Sequence, residues 1–174
     1  AKRNRIVAEI AKMLVRYQKE VLKANRRDVD SLKRTELKDR LELNLKRLLD
    51  IAQSAKRVAK LPDPLHKILE EKILSNGLCL QKLSVPLGTL SVIYESRPNV
   101  TVDLAVLAIK SGNALVLKGG SEAYNTNKIL VKIIQQALKC HHLPLNLIYL
   151  ITPKDEWKEV LLNAHGLIDV LIPR

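Results

Sequence analysis

Apolar residues recur at helical spacing through the first third of the chain. Ile6, Ile10, Leu14, Tyr17 and Val21 fall on one face, with Lys, Arg, Gln and Glu filling the rest. Asn25 interrupts that stripe, and Asp28 is placed to cap a short second helix. A further stripe of Leu45, Leu48, Ala52, Ala55 and Ala59 stops before Pro62 and Pro64, which cannot donate to a helical ladder. Helical hairpins of this size cannot close a core alone, so they are expected to pack on something else.

From Gly77 the pattern changes. Leu78-Cys79-Leu80-Gln81 alternates as a half-exposed strand does, and Pro86 and Gly88 mark a turn or bulge. Leu90 to Tyr94 is a short apolar run suited to a strand covered on both faces. Helical spacing returns from Val102 to Ser111, with Gly112 placed as the stop. Ala114 to Leu117 reads as a second buried strand, and Ile129, Leu130, Ile133, Ile134 and Leu138 as the inner face of the next helix. Leu147 to Ile151 is a third strand. Thr152-Pro153-Lys154-Asp155 reads as the start of a helix holding Trp157 and Leu161. Leu167 to Ile172 is a fourth strand. Strand and helix alternating over the second half predict an α/β fold: an open parallel sheet with right-handed crossovers, preceded by packed helices.

Composition narrows what such a fold does. No run reaches the ~18 apolar residues of a membrane span, so no membrane is expected. Nothing at the start reads as a secretory leader, so a reduced, cytoplasmic setting is expected. Phe is absent and aromatics are 3%, which leaves the core to Leu, Ile, Val and Ala and makes base-stacking platforms improbable. The net charge of +12 favours a polyanion partner taken alone. Residues 1–60, however, hold 18 Lys and Arg against 8 Asp and Glu, and residues 61–174 hold 12 against 10. The excess sits on amphipathic helices, whose solvated faces account for it, so nucleic acid is not the expected partner. A non-catalytic basic binding or assembly module is the alternative reading.

Two strand ends carry candidate chemistry, and in open α/β sheets ligands bind beyond the carboxyl ends of strands. At Tyr94-Glu95-Ser96-Arg97-Pro98-Asn99 apolar sequence gives way to a carboxylate, a hydroxyl, a guanidinium and an amide. Arg97 is suited to fork onto a carboxylate or phosphate, and Asn99 to cap the next helix. At Lys118-Gly119-Gly120-Ser121-Glu122 a lysine offers a point charge, two glycines permit close backbone approach, and Ser121 offers a hydroxyl. The pattern is neither the dinucleotide fingerprint nor the P-loop. Cys140-His141-His142 reads as a surface turn, so no metal is expected. Cys79 and Cys140 read as inert thiols.

The stretches IYESRPN (93–99), KSGNA (110–114), LKGGSEA (117–123) and LIDVLIPR (167–174) resemble the gamma-glutamyl phosphate reductase family of the aldehyde dehydrogenase superfamily. Upstream, KANRRD (23–28), DRL (39–41) and KLPDP (60–64) are similar too, so the likeness covers nearly the whole chain. The resemblance implies an aldehyde dehydrogenase-like, Rossmann-like cofactor domain. It implies NADPH-dependent reduction of glutamyl phosphate to glutamate semialdehyde in proline biosynthesis, with NADP as cofactor and a homo-oligomeric state. In this family a thiolate attacks the acyl phosphate and a hydride reduces the resulting thioester. Neither Cys79 nor Cys140 matches that thiol, which lies in a catalytic domain beyond the last strand. The expected division is therefore a helical segment (1–76), an incomplete NADP-binding domain (77–174), and no catalytic domain in this chain.

By the same resemblance Lys118 holds the adenosine ribose or its phosphate, with Ser121 or Glu122 sharing the task beside Gly119 and Gly120. Ser96 occupies the position of an oxyanion-stabilising asparagine, with Asn99 as the alternative. Arg97 is a ligand for a substrate carboxylate or phosphate. Pro173 and Arg174 match the strand end passing under the nicotinamide and pyrophosphate.

Overall fold

The computed structural model describes residues 2–33, 35–152, 159, 161 and 163–173. Four N-terminal helices come first: α1 (Lys2–Arg16), α2 (Gln18–Asp30), a short α3 (Lys38–Leu41) and α4 (Leu45–Lys60). The Ile6-to-Val21 stripe survives the break at Tyr17, because Tyr17 N–H still donates to Met13 and Val21 N–H to Tyr17. Asn25 does not end the pattern as expected. Helix α2 runs through it, since its side chain is satisfied by tertiary partners: it donates to the Leu41 carbonyl at 2.8 Å and accepts from Leu43 N–H at 2.7 Å. Asp28 caps no helix of its own either. Its carboxylate accepts from the N–H groups of Asn125 and Thr126, at the start of a helix almost a hundred residues away.

A two-stranded antiparallel hairpin follows, β1 (Ile68–Ile73) and β2 (Cys79–Leu83). The pattern of residues 66–76 does not predict β1, because Ile68-Leu69-Glu70-Glu71-Lys72-Ile73 does not alternate. Both strands are exposed along their whole length, so β2 is barer than its alternation implies. The hairpin stands off the core, and Ile73, Leu78 and Leu80 face solvent.

The remaining strands form one parallel sheet in the order β5-β4-β3-β6. They are β3 (Thr89–Ile93), β4 (Ala114–Lys118), β5 (Ile148–Leu150) and β6 (Val170–Pro173), with α5 (Pro98–Lys110) and α6 (Tyr124–Cys140) as the described crossovers. The α/β sheet expected from the alternation is present. From β3 the chain winds outward through β4 to β5, so right-handed crossovers put α5 and α6 on the same face. It then returns to place β6 on the other side of β3, which makes β3 the strand where the winding reverses. Gly112, at φ +74°, ends α5 as expected, its N–H bonding Ile109 in a conformation that disfavours a side chain. The fourth strand starts three residues later than its apolar run, and Leu171 and Ile172 are exposed on the sheet's edge. The expected helix around Trp157 lies outside the described residues, Leu161 apart.

One core ties the layers together. Leu115, Leu117 and Ile148 of the sheet, Ala105 and Val106 of α5, Leu130 and Ile134 of α6, and Ile6, Ile10, Leu14, Leu48 and Ala52 of the N-terminal helices form a single buried cluster. Burying a side chain of this size stabilises by about 1.5–3 kcal/mol, so the N-terminal helices gain from the sheet domain the burial they cannot supply themselves.

Candidate functional site

Parallel pairing lines up the strand ends. Ile93 sits opposite Lys118 on one side and Pro173 on the other, so the ends of β3, β4 and β6 form one row at the carboxyl edge. Tyr94 N–H continues the ladder by donating to the Lys118 carbonyl at 3.0 Å. The two polar loops singled out in the sequence therefore meet, and Ser96 Oγ donates to Glu122 Oε2 at 2.6 Å.

The glycine pair has a packing reason. A Cβ on Gly120 would lie 2.1 Å from Ser96 Oγ, and one on Gly119 would lie 2.4 Å from Asn127 Nδ2 and 3.1 Å from the Tyr94 ring. Side chains from the loop after β3 and from α6 close over this backbone, so only glycine fits. Beneath it runs a buried chain of polar groups: Tyr94 Oη and Thr101 Oγ1 are 2.7 Å apart, and Thr101 Oγ1 donates to Asn127 Oδ1 at 2.7 Å. Burial pushes the Tyr94 phenol up to about 12, with the Thr101 hydrogen bond opposing. Asn127 Nδ2 is buried with no hydrogen-bond partner.

Lys118 is half-buried, and its ammonium donates to the Gly119 carbonyl at 2.9 Å. Burial draws it below the usual lysine range, and the Glu122 carboxylate pulls the other way. Ser121 is exposed and opens a short 3-10 turn, Ser121–Ala123, ahead of α6. With Glu122 and Lys33 it lines a cleft of about 380 Å³. Arg174 lies outside the described residues.

Arg97 and Asn99 turn away from this edge into a second cleft of about 480 Å³, shared with Asp39, Arg40, Arg47 and Asp50. Glu95 bridges the two regions: it accepts from Arg40 at 2.8 Å and lies 3.6 Å from Arg97 Nε. The Asn99 side chain bonds Asp103 within α5. Ser96 is spent on Glu122 and Asn99 on Asp103 in this arrangement, so either would exchange a partner to meet an oxyanion.

The sequence patterns did not place beside these loops the residues that reach them from the N-terminal helices. Asp28 anchors the first turn of α6 just after Glu122, and Arg40 and Arg47 line the Arg97 cleft. Their only signal was that they fall in the motifs KANRRD and DRL or close after them. Both thiols are remote: Cys79 is in the exposed hairpin, and Cys140 ends α6, roughly 25 Å along the helix from the site at a rise of about 1.5 Å per residue. Among the described residues no three His, Cys, Asp or Glu side chains gather as a metal site, and no helix is long and apolar enough to cross a membrane.

A dinucleotide needs cationic and donor groups at its phosphates and riboses, with backbone free to approach. Lys118 and the exposed Ser121 hydroxyl fit that requirement in kind.

No protein-family model matches the chain. Gamma-glutamyl phosphate reductases do. The protein of that name from Chlorobaculum parvum is 46% identical over 172 residues, and that from Pelodictyon phaeoclathratiforme 44% identical over the same length. Each match takes in 98% of this chain and 41% of the relative, so the chain spans about two-fifths of the relatives' length. The crystal structure of the Thermotoga maritima gamma-glutamyl phosphate reductase matches 99% of this chain at 36% identity, with a TM-score of 0.92 and 43% of its own chain covered. The Saccharomyces cerevisiae structure follows at 32% identity and 0.90, with 45% covered. A propionaldehyde dehydrogenase from Rhodopseudomonas palustris, at 18% identity and 0.68, shares the fold.

Proposed function

We propose, from the premise that this chain is homologous to the gamma-glutamyl phosphate reductases and corresponds to their N-terminal part, that it carries the coenzyme-binding half of such an enzyme. The activity it serves is reduction of glutamyl 5-phosphate to glutamate 5-semialdehyde in proline biosynthesis. The observation that carries the reading is the alignment of the ends of β3, β4 and β6 in one row at the carboxyl edge. That row places Lys118 and the glycine pair beside the Ser96 loop, with Pro173 across β3.

The coenzyme, when bound, supplies the hydride. Lys118 grips the adenosine ribose or its 2′-phosphate, and Ser121, facing the cleft with Lys33, donates to the same group. NADP is favoured over NAD because a lysine and a hydroxyl meet a phosphate. Gly119 and Gly120 let the loop after Lys118 pack under Ser96 and Asn127 and so shape the ligand's edge, and Pro173 lines the floor under the pyrophosphate and nicotinamide. Ser96 or Asn99 donates to the developing oxyanion, and Arg97 takes a charged group of the substrate. The attacking thiolate comes from neither Cys79 nor Cys140, both remote from this edge, so we place it in a catalytic domain outside this chain. Residues 1–76, helical as far as Lys60 and ending in the first hairpin strand, then support the coenzyme domain (77–174). The solvent-facing Ile73, Leu78 and Leu80 of the hairpin support self-association, and two unpaired thiols suit a cytoplasmic setting.

Fluorescence titration with NADPH tests this. NADPH is expected to bind more tightly than NADH, and Lys118→Ala to weaken NADPH by about tenfold, the loss of one charge-assisted hydrogen bond, with an unchanged far-UV spectrum. Unchanged NADPH affinity in that variant removes Lys118 from the role.

A further inference from the structure

The Arg97 cleft carries charge of both signs. Arg40, Arg47 and Arg97 line it with Asp39, Glu42 and Asp50, so its formal charge balances. A phosphate dianion needs a cationic excess, which this cleft lacks. A zwitterion needs an acceptor and a donor held apart.

The side chains differ in what remains available. Arg47 is spent: it donates to the Asp39 carbonyl at 2.6 Å, the Glu42 carbonyl at 2.8 Å and the Asp39 carboxylate at 2.7 Å. Asp39 is thereby spent too. Arg40 is held by Glu95 at 2.8 Å. Three groups are left: Arg97, Asp50, and the Glu42 carboxylate, which acts on the neighbouring Arg47 only through space. Asp50 makes no hydrogen bond or ion pair among the described residues. Arg97 keeps one long contact of 3.6 Å with Glu95, and its Nε is buried without a hydrogen bond. A cleft of about 480 Å³ lies within the roughly 300–1,000 Å³ of small-molecule sites.

We propose that this cleft seats the α-amino-acid head of the substrate, Asp50 accepting from the ammonium and Arg97 donating to the α-carboxylate. The inference rests on the reading above and gives it polarity. The head is anchored beside α4 and the start of α5, and the acyl phosphate points past Glu95 and Ser96 to the strand-end row. Arg47, held by the Asp39 carboxylate and two carbonyls, orders one wall of the cleft.

Titration of the ¹⁵N-labelled chain followed by NMR tests it, with three probes: L-glutamate, glutarate (which lacks the ammonium) and 4-aminobutyrate (which lacks the α-carboxylate). L-glutamate is expected to shift the amides around Asp50 and Arg97 and to bind more tightly than either analogue. Asp50→Asn should weaken L-glutamate about tenfold or more and leave glutarate unchanged. Arg97→Gln should weaken L-glutamate similarly and leave 4-aminobutyrate unchanged. Amides elsewhere that keep their positions report intact folding in both variants. Equal binding of glutarate and L-glutamate, shifts confined to other regions, no shift at all, or affinity unaltered by both substitutions each overturns the proposal. NADPH added to the same samples separates the two levels. Shifts at residues 118–122 without a glutamate effect leave the coenzyme reading standing and sink this one. Glutamate discrimination without any NADPH shift does the reverse.

Discussion

Two carboxylates in this molecule are met from distant parts of the chain, and they behave oppositely. Asp28 is buried, and its oxygens accept from Asn125 N–H, Asn125 Nδ2, Thr126 N–H and Thr126 Oγ1 at 2.5–3.2 Å. Glu95 is half-exposed, and its partners are Arg40 and a distant Arg97. Asp28 is satisfied by fixed donors at a helix N-terminus, where negative charge is favoured. Glu95 is satisfied by flexible cations that water and ligands compete for. The first arrangement fastens α2 to α6 and fixes where the Gly119–Glu122 loop ends. The second leaves its arginines able to change partners, as a binding cleft requires.

Substitutions that break this contrast should rank accordingly. Asp28→Ala strands several buried donors and is expected to lose about 3 kcal/mol or more of stability, read as a lower urea midpoint at unchanged slope. A loss below about 1 kcal/mol would show that water replaces the carboxylate at no cost. Next comes Tyr94, buried on the same side of the contrast. Its phenol is raised in the fold from 10.0 to about 12, so its contribution is complete below pH 10 and is lost as pH climbs toward 12. The fall is on the order of 2–3 kcal/mol. Tyr94→Phe should flatten that part of the stability–pH curve, and an unchanged alkaline slope refutes the assignment. Gly120→Ala forces a methyl against Ser96 Oγ, where about 1–3 kcal/mol is expected from overpacking, with the Ser96–Glu122 bond displaced. A melting temperature equal to the parent's would mean that the loop relaxes freely. Glu95→Gln should be smallest, within about 1 kcal/mol in thermal unfolding. A larger loss would move Glu95 into the class of Asp28.

The same contrast explains what was legible in the residues. The strands β3 and β4 and the stop at Gly112 follow from apolar runs and one glycine, because both signals are local. The two polar strand ends stood out because strand ends in a parallel sheet share an edge. The first hairpin strand was invisible, since a strand exposed on both faces has no reason to alternate. Asn25 and Asp28 were misassigned because a polar residue on an apolar helix face looks like a break until its partner is known. That partner, Thr126, sits about a hundred positions away. Likewise nothing local tells that Arg40 reaches Glu95 while Asp50 stays unpaired among the described residues.

The Asp28–Thr126 contact closes a loop of 98 residues, and this bears on biosynthesis. At about 5–20 residues per second, the leading helices leave the ribosome roughly 5 to 20 seconds before the segment that fastens them. During that interval the apolar stripe from Ile6 to Val21 has no sheet to lie on. Newly made chains should therefore be held by chaperones at this early stage, and truncation ahead of residue 126 should give nascent products that aggregate.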